Sequence, residues 1–410
     1  MSLALRVLIG LVLGFALGLM LAGNQSTAAV GVIAVLGPIG TVFVNLIRMT
    51  AIPLVTSLLV ASIGSASASV GLGRTAVRAF VISLALLTIA AVGSALVSTR
   101  VLAGLSIDQA AALALRGTTT AAANASAGAP TLSGWSIDLV PQNPIKAAAD
   151  GAMLPLIVFS VLFGLALAQV TPTKRDPLLR AVEGIAETMQ RLVARILVVA
   201  PVGVFALAVP LATKLGWSAA GAVVAYVVLV VVLTIVATAL LLYPLGILAG
   251  PLKAAAFVSY CAPAQAIAFA SRSSLAALPA MLESAEEARL PTSSTAVILP
   301  LAAAVYHFGA AVAQTVGVVF LARLYGVTLT PLQIASVIVA VVLATYAVPG
   351  IPGGSIIAMV PALAVANLPV EGMGILLAVD TIPDMFRTTA NVTGTLTLTA
   401  VLPSEGGPGR

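Results

Sequence analysis

The stretch DTIPDMFRTTANVTG, Asp380–Gly394, puts two acids and an arginine on one stripe of a helix that otherwise belongs in lipid. Asp380, Asp384, Arg387 and Asn391 fall at i, i+4, i+7 and i+11. At about 100° per residue they stay within roughly 60° of one another. The chain has only 13 acidic residues in 410, and an ionised side chain at the bilayer centre costs about 2.5–3.5 kcal/mol or more. Such a stripe reads as a ligand or ion site. The plain alternative is an Asp–Arg pair that neutralises itself for packing.

Outward from the stripe, the chain is 60% hydrophobic and 8% charged, with a mean hydropathy of +1.17. A soluble domain carries roughly 25% charged residues, so the composition specifies a polytopic, all-α membrane protein. The runs Ala219–Ala249 and Ile334–Ala347 are too uniformly apolar for surface helices. One cysteine, Cys261, excludes an intramolecular disulfide and reads as a small apolar packing residue. The net charge of +6 comes from basic residues scattered over loop ends, which fits membrane topology better than nucleic-acid binding.

Apolar segments run over Leu3–Leu21, Val30–Ile63, Ala76–Val101, Met153–Val170, Ala186–Leu211 and Ala219–Ala249, with a polar Ala103–Pro141 stretch expected to be irregular. Arg6, Arg74 with Arg78, Lys174 with Arg175 and Arg180, and Lys253 alternate with loops poor in basic residues. By the positive-inside rule they predict a cytoplasmic N-terminus. The second half differs. Ala254–Met281 is interrupted by Pro263, Ser271-Arg272-Ser273-Ser274 and Pro279, and Leu332–Val365 by Pro349-Gly350-Ile351-Pro352-Gly353-Gly354. Each reads as two short helices meeting at a tip, tolerated at membrane depth only where protein or a water-filled cavity satisfies the backbone. Each is followed by an expected full span, Thr295–Leu324 and Gly372–Leu402. Paired interruptions of this kind point to the binding site of an inverted-repeat secondary transporter.

The tip residues Arg272, Ser273 and Ser274 offer a guanidinium, hydroxyls and free backbone N–H groups, which suit a carboxylate. An ordinary cytoplasmic loop is the alternative. The Pro349–Gly354 tip has no ionisable group, so it would contribute backbone groups and mobility as a lid, or be a plain turn. On the stripe, Arg387 can hold a carboxylate bidentately, Asp384 can accept from an ammonium, and Thr388 and Asn391 can serve a second carboxylate. Together they describe an acidic α-amino acid. Asp380 suits a structural role, paired with a neighbour such as Arg272. His307, the one histidine, is either a hydrogen-bonded core residue or a proton-binding group. His307, Asp380 and Asp384 are thus the ion-coupling candidates.

These elements resemble the glutamate transporter family, the dicarboxylate/amino-acid:cation symporters, an archaeal member of which exemplifies the inverted-repeat transporters. The resemblance runs from Arg6 to Leu402. It is most specific in AFASRSSLAALP (Ala268–Pro279), VPGIPGG (Val348–Gly354) and Asp380–Gly394, with support from Asn143–Leu154 and APVGVFALA (Ala200–Ala208). It implies eight transmembrane helices with two re-entrant hairpins, a homotrimer in the cell inner membrane, both termini cytoplasmic, and an elevator mechanism. Residues 1–75 and 106–216 would form the scaffold, with an irregular loop in the latter. Residues 76–105 and 217–402 would form the transport domain: helix 6, hairpin 1 over 253–284, helix 7 over 293–324, hairpin 2 over 331–365 and helix 8 over 367–402. By resemblance Arg387 holds the substrate side-chain carboxylate and Asp384 its amino group. Thr388, Asn391, Arg272, Ser273, Ser274, Ile351 and Gly353 complete the substrate site, and no other cofactor is implied. The retained Asp384 and Arg387 favour glutamate or aspartate over a dicarboxylate.

The departures fall on sodium. The family's seventh-helix signature Asn-Met-Asp-Gly-Thr is Tyr306-His307-Phe308-Gly309-Ala310 here, and an eighth-helix sodium-binding aspartate is Thr395. Two aspartate-dependent sodium sites are expected to be gone, with a backbone-carbonyl site in hairpin 2 left open. A proton carrier, an exchanger, or a dicarboxylate carrier coupled through that remaining site are the consequent readings. Two other classes compete. A serine hydrolase using Ser273 or Ser274 with His307 lacks a G-x-S-x-G context, and an anion channel is disfavoured by the stripe's two acids.

Overall fold

The computed structural model describes residues 3–22, 26–68, 73–104, 137, 140–150, 152–215, 217–348 and 353–402, and no strand occurs among them. Most of the Ala103–Pro141 stretch, together with Ile351, lies outside the described residues.

Two sets of helices make up the molecule. The first contains α1 (Leu3–Leu21), α2 (Thr27–Ala68), the short α4 (Pro144–Ala149), α5 (Met153–Ala168), α6 (Pro172–Val198) and α7 (Ala200–Leu215). Here α1 lies along α7, and α2 packs on α5, α6 and α7. Gly10, Gly14 and Gly18, one turn apart on α1, set how close it comes. A Cβ at these positions would lie 2.3, 2.7 and 2.5 Å from the carbonyl oxygens of Pro201, Phe205 and Val209. In lipid, where apolar burial does not drive helix association, such close backbone contact is the chief source of helix–helix attraction. Hydroxyls within α2 close on their own helix, as Ser57 Oγ donates to Pro53 O at 2.6 Å and Thr50 Oγ1 to Ile47 O at 2.7 Å, so they need no water.

The second set surrounds two buried helices, α13 (Phe308–Leu324) and α18 (Thr381–Val401). Helix α3 (Gly73–Ala103) and α8 (Trp217–Ala237) pack on α13, as does α14 (Pro331–Thr345). A π-helical turn, Thr238–Leu242, joins α8 to α9 (Tyr243–Ala249), and α9 packs on α18. Helices α10 (Ala254–Ser271) and α11 (Leu278–Glu287) form the first hairpin. The second has α14 as its first arm and α15 (Gly354–Ile357) with α16 (Val360–Val365) as its second. Helix α12 (Thr292–Val305) leads into α13, and α17 (Met373–Val379) into α18. The sets meet where α17 touches α1 and α7 and where α16 touches α5. Val224, Val228, Val232 and Ile235 leave an exposed apolar stripe on α8, a surface suited to lipid.

Three expected spans carry interruptions. Within Thr295–Leu324, of which Ile298–Leu324 is long and apolar enough to cross a membrane, the helix breaks where Tyr306 (φ −101°, ψ 105°) is extended and His307 (φ −119°, ψ 72°) leaves helical geometry. No proline lies at this break. It is held by tertiary bonding instead: Gly309 N–H donates to Asn391 Oδ1 at 2.7 Å. Ala186–Leu211 spans a 60° bend between α6 and α7, where Pro201 has no N–H to return to Leu197. The last span starts at Met373 after a 3₁₀ turn, Val370–Gly372, and steps at Asp380. Among the described residues, five helices are by length and composition able to cross a membrane, or six counting the bent pair.

Candidate functional site

The first hairpin's tip is a built turn. Arg272 ends α10 in the left-handed conformation (φ 55°) with its N–H donating to Ala268 O at 2.9 Å. Ser273 N–H donates to Ser271 Oγ, and Ser273 Oγ accepts from Ala276 N–H, both at 3.3 Å. Proline at position 279 opens α11 in its first turn, where a missing N–H costs nothing. Arg272, Ser273 and Ser274 therefore face a cavity of about 250 Å3 that Asp384, Arg387, Thr388 and Asn391 also line.

On α18 the stripe forms an ion cluster. Arg387 is 1% exposed. Its Nη1 donates to Asp380 Oδ1 at 2.6 Å, and its Nη2 to Asp380 Oδ2 and Asp384 Oδ1, both at 2.8 Å. This corrects the expected Asp380–Arg272 pair. Asp380 lies two turns before Arg387 on the same face and receives the planar fork bidentately, the geometry a guanidinium prefers. Two atoms of the cluster, Arg387 Nε and Asp384 Oδ2, have no partner in the protein. One donor and one acceptor thus remain beside the cavity, the complement of a zwitterion. Asn391 spends its Oδ1 on Gly309, which leaves the Nδ2 group as its donor side.

Helix α13 crosses α18 at this level. A Cβ on Gly309 would lie 2.5 Å from Arg387 O, so only glycine lets the two backbones meet. Within the break, His307 is buried and lines the cavity. Its Nδ1 lies 3.1 Å from Thr345 O, at the end of α14. A carbonyl only accepts, so Nδ1 carries the hydrogen and Nε2 is the nitrogen left to titrate.

Residues the sequence did not single out also line the cavity: Leu58 and Ser62 from α2, Gln190 from α6, Tyr346 after α14, and Ser355 from α15. Tyr346 ties three elements together. Its hydroxyl lies 2.7 Å from Ser83 Oγ on α3, and its carbonyl accepts from Ser62 Oγ at 3.4 Å. Gly353 takes the left-handed conformation (φ 77°) next to α15 but is not among the lining residues, and Ile351 lies outside the described residues.

Residues 3–404 match the sodium:dicarboxylate symporter family. The chain belongs to that family. It is 32% identical over 400 residues to a proton/glutamate-aspartate symporter of Escherichia coli, covering 96% of this chain and 90% of the relative. A proton/sodium-glutamate symport protein of Bacillus caldotenax is 28% identical, with 98% and 94% covered. A C4-dicarboxylate transport protein of Rhizobium johnstonii is 26% identical, with 90% and 82% covered. These are transporters, and this member of the sodium:dicarboxylate symporter family is a multi-pass membrane transporter, not an enzyme.

Tyr306, Phe308 and Thr395, where the resemblance implies sodium ligands, fit that ion poorly. Tyr306 and Phe308 crowd Gly394, where a Cβ would lie 2.6 Å from Tyr306 Cε1 and 3.4 Å from Phe308 Cβ. Phe308 has no oxygen to offer. The Tyr306 and Thr395 hydroxyls are buried without partners, but they are neutral, and a hard cation favours carboxylate and carbonyl oxygens.

Proposed function

We propose that this protein carries an acidic amino acid, glutamate or aspartate, across the cell inner membrane without sodium at the two aspartate-dependent sites, driven by protons or by exchange. The observation that carries the reading is the Arg387 cluster. Arg387 and Asp384 line a cavity that Arg272, Ser273 and Ser274 also line, and each keeps one polar atom without a protein partner, a donor on Arg387 and a carboxylate oxygen on Asp384. A substrate with both a carboxylate and an ammonium uses all of these groups, whereas a plain dicarboxylate leaves Asp384 Oδ2 unsatisfied. The names of the relatives support an acidic substrate, and the proton symporter among them supports proton coupling.

In this reading α1, α2, α5, α6 and α7 are the fixed scaffold of each protomer in a homotrimer, with both termini cytoplasmic. The helices around α13 and α18 move as the elevator. Leu58, Ser62 and Gln190 reach the cavity from scaffold helices, so movement would separate them from the rest of its lining. His307 Nε2 is the candidate proton carrier, with Asp380 and Asp384 as alternatives.

The test is a calorimetric panel on purified protein with glutamate, aspartate and succinate, in sodium or choline and at several pH values. Affinity for an acidic amino acid is expected to change less than threefold between sodium and choline; a hundredfold gain in sodium overturns the coupling assignment. Uptake into proteoliposomes under a pH gradient tests the proton separately. If His307→Gln leaves pH-driven uptake unchanged, His307 is structural.

A further inference from the structure

The second hairpin brings a side-chain ligand of its own to the cavity. Ser355 stands in the first turn of α15, two residues after the left-handed Gly353, and lines the cavity together with Asp384 and Arg387. It is 7% exposed, and its hydroxyl has no partner in the protein. A hydroxyl left unpaired away from water is unfavourable, and in a residue that lines a cavity a bound molecule can supply the partner. Several buried serines resolve the problem by bonding their own helix, as Ser160 Oγ does to Leu156 O at 2.8 Å and Ser336 Oγ to Leu332 O at 2.9 Å. Ser355 sits too early in α15 for that, with no preceding turn of the same helix to receive its proton.

Its backbone is held from behind. Gln314, fully buried on α13, donates through Nε2 to Ser355 O at 2.8 Å, and its own Oε1 is unpartnered. A buried carboxamide half-used in this way is a costly feature with one visible effect, which is to fix where Ser355 stands relative to the α13–α18 crossing.

Resting on the substrate reading above, we propose that Ser355 Oγ donates a hydrogen bond to a carboxylate of the bound substrate, with Gln314 as its positioning residue. The carboxylate follows from the division of polar groups. The ammonium already has a charged acceptor in Asp384 Oδ2, against which a hydroxyl oxygen competes poorly. Each hairpin then contributes hydroxyls to the substrate, Ser273 and Ser274 from the first and Ser355 from the second.

The experiment is calorimetry of purified full-length protein with aspartate, glutamate and succinate, beside thermal unfolding without ligand. Ser355→Ala is expected to bind the tightest of these about tenfold more weakly, the amount typical of one hydrogen bond to a charged group. Its unfolding temperature without ligand should be unchanged or higher, because the lost hydroxyl had no partner. Ser355→Cys, near in size and a weak donor, should lose as much. Gln314→Leu should weaken binding in the wild-type background but by less than twofold when added to Ser355→Ala. Affinity of Ser355→Ala within twofold of wild type overturns the proposal, and additive losses overturn the role of Gln314. If wild-type protein binds none of the three compounds, the substrate reading falls and takes this one with it.

Discussion

Helices α13 and α18 cross at one point and share the same surroundings, yet their chemistry has gone opposite ways. Both are almost wholly buried. Helix α18 keeps two carboxylates and a guanidinium beside the cavity. The start of α13, with the break before it, presents Phe308 and Gly309 together with Tyr306, aromatic bulk and a close contact in place of charge. On the reading proposed above, substrate chemistry and ion chemistry are separable within one crossing. In that reading the side that binds substrate keeps its charges, whereas the other side, with no ion to hold, serves as packing.

Arg387→Ala attacks the charged side and should have the largest effect. It strands Asp380 and Asp384 in a dry interior, where breaking a buried pair costs about 3–5 kcal/mol. Thermal unfolding in detergent should show that loss together with loss of acidic amino-acid binding. Stability equal to wild type would mean that the cluster is not what holds α18 in place. Gly309→Ala attacks the packed side. Its Cβ would sit 2.5 Å from Arg387 O, and overpacking of this kind costs about 1–3 kcal/mol. Gly93→Ala on α3 is the internal control. Nothing lies within 4 Å of its Cβ, so the helix should gain about 0.5–1 kcal/mol. If the two alanines behave alike, the crossing is looser than described.

Smaller again is His307→Leu, which removes the bond to Thr345 O for about 0.5–1.5 kcal/mol. His307→Asn, with a donor near the Nδ1 position, should recover part of that stability. Equal losses in both would leave the contact without weight.

Much of this was legible in the sequence. The 100° spacing of Asp380, Asp384, Arg387 and Asn391 needed only helix geometry, and the serine–arginine tip needed only the interruption of an apolar run. What stayed hidden depends on distance. Nothing local distinguishes Arg272 from Arg387 as the partner of Asp380, since both are cations and only the folded chain ranks them. The break at Tyr306–His307 carries no glycine or proline signal, because its backbone is satisfied by Asn391 from another helix. Ser355 follows the Pro349–Gly354 tip with nothing local to mark it. Only the absence of any partner for its hydroxyl, together with the hold of Gln314 on its carbonyl, marks it out.

The π-helical turn at Thr238–Leu242 has a consequence for the phase of the helix that contains it. One wide turn adds a residue without adding a loop, so everything after it is rotated about 100° from the face it would otherwise occupy. That rotation brings Tyr243 edge-on to Phe257 at 5.6 Å and sets Gly246 beneath the same ring, where a Cβ would lie 2.2 Å from Phe257 Cζ. It also presents Leu242 O to Thr397 Oγ1 at 3.4 Å. Deleting any one residue of the turn would leave nearly every side chain's chemistry intact and still misalign the whole of α9 against the first hairpin. The helix is read in frame, and this turn is where the frame is set.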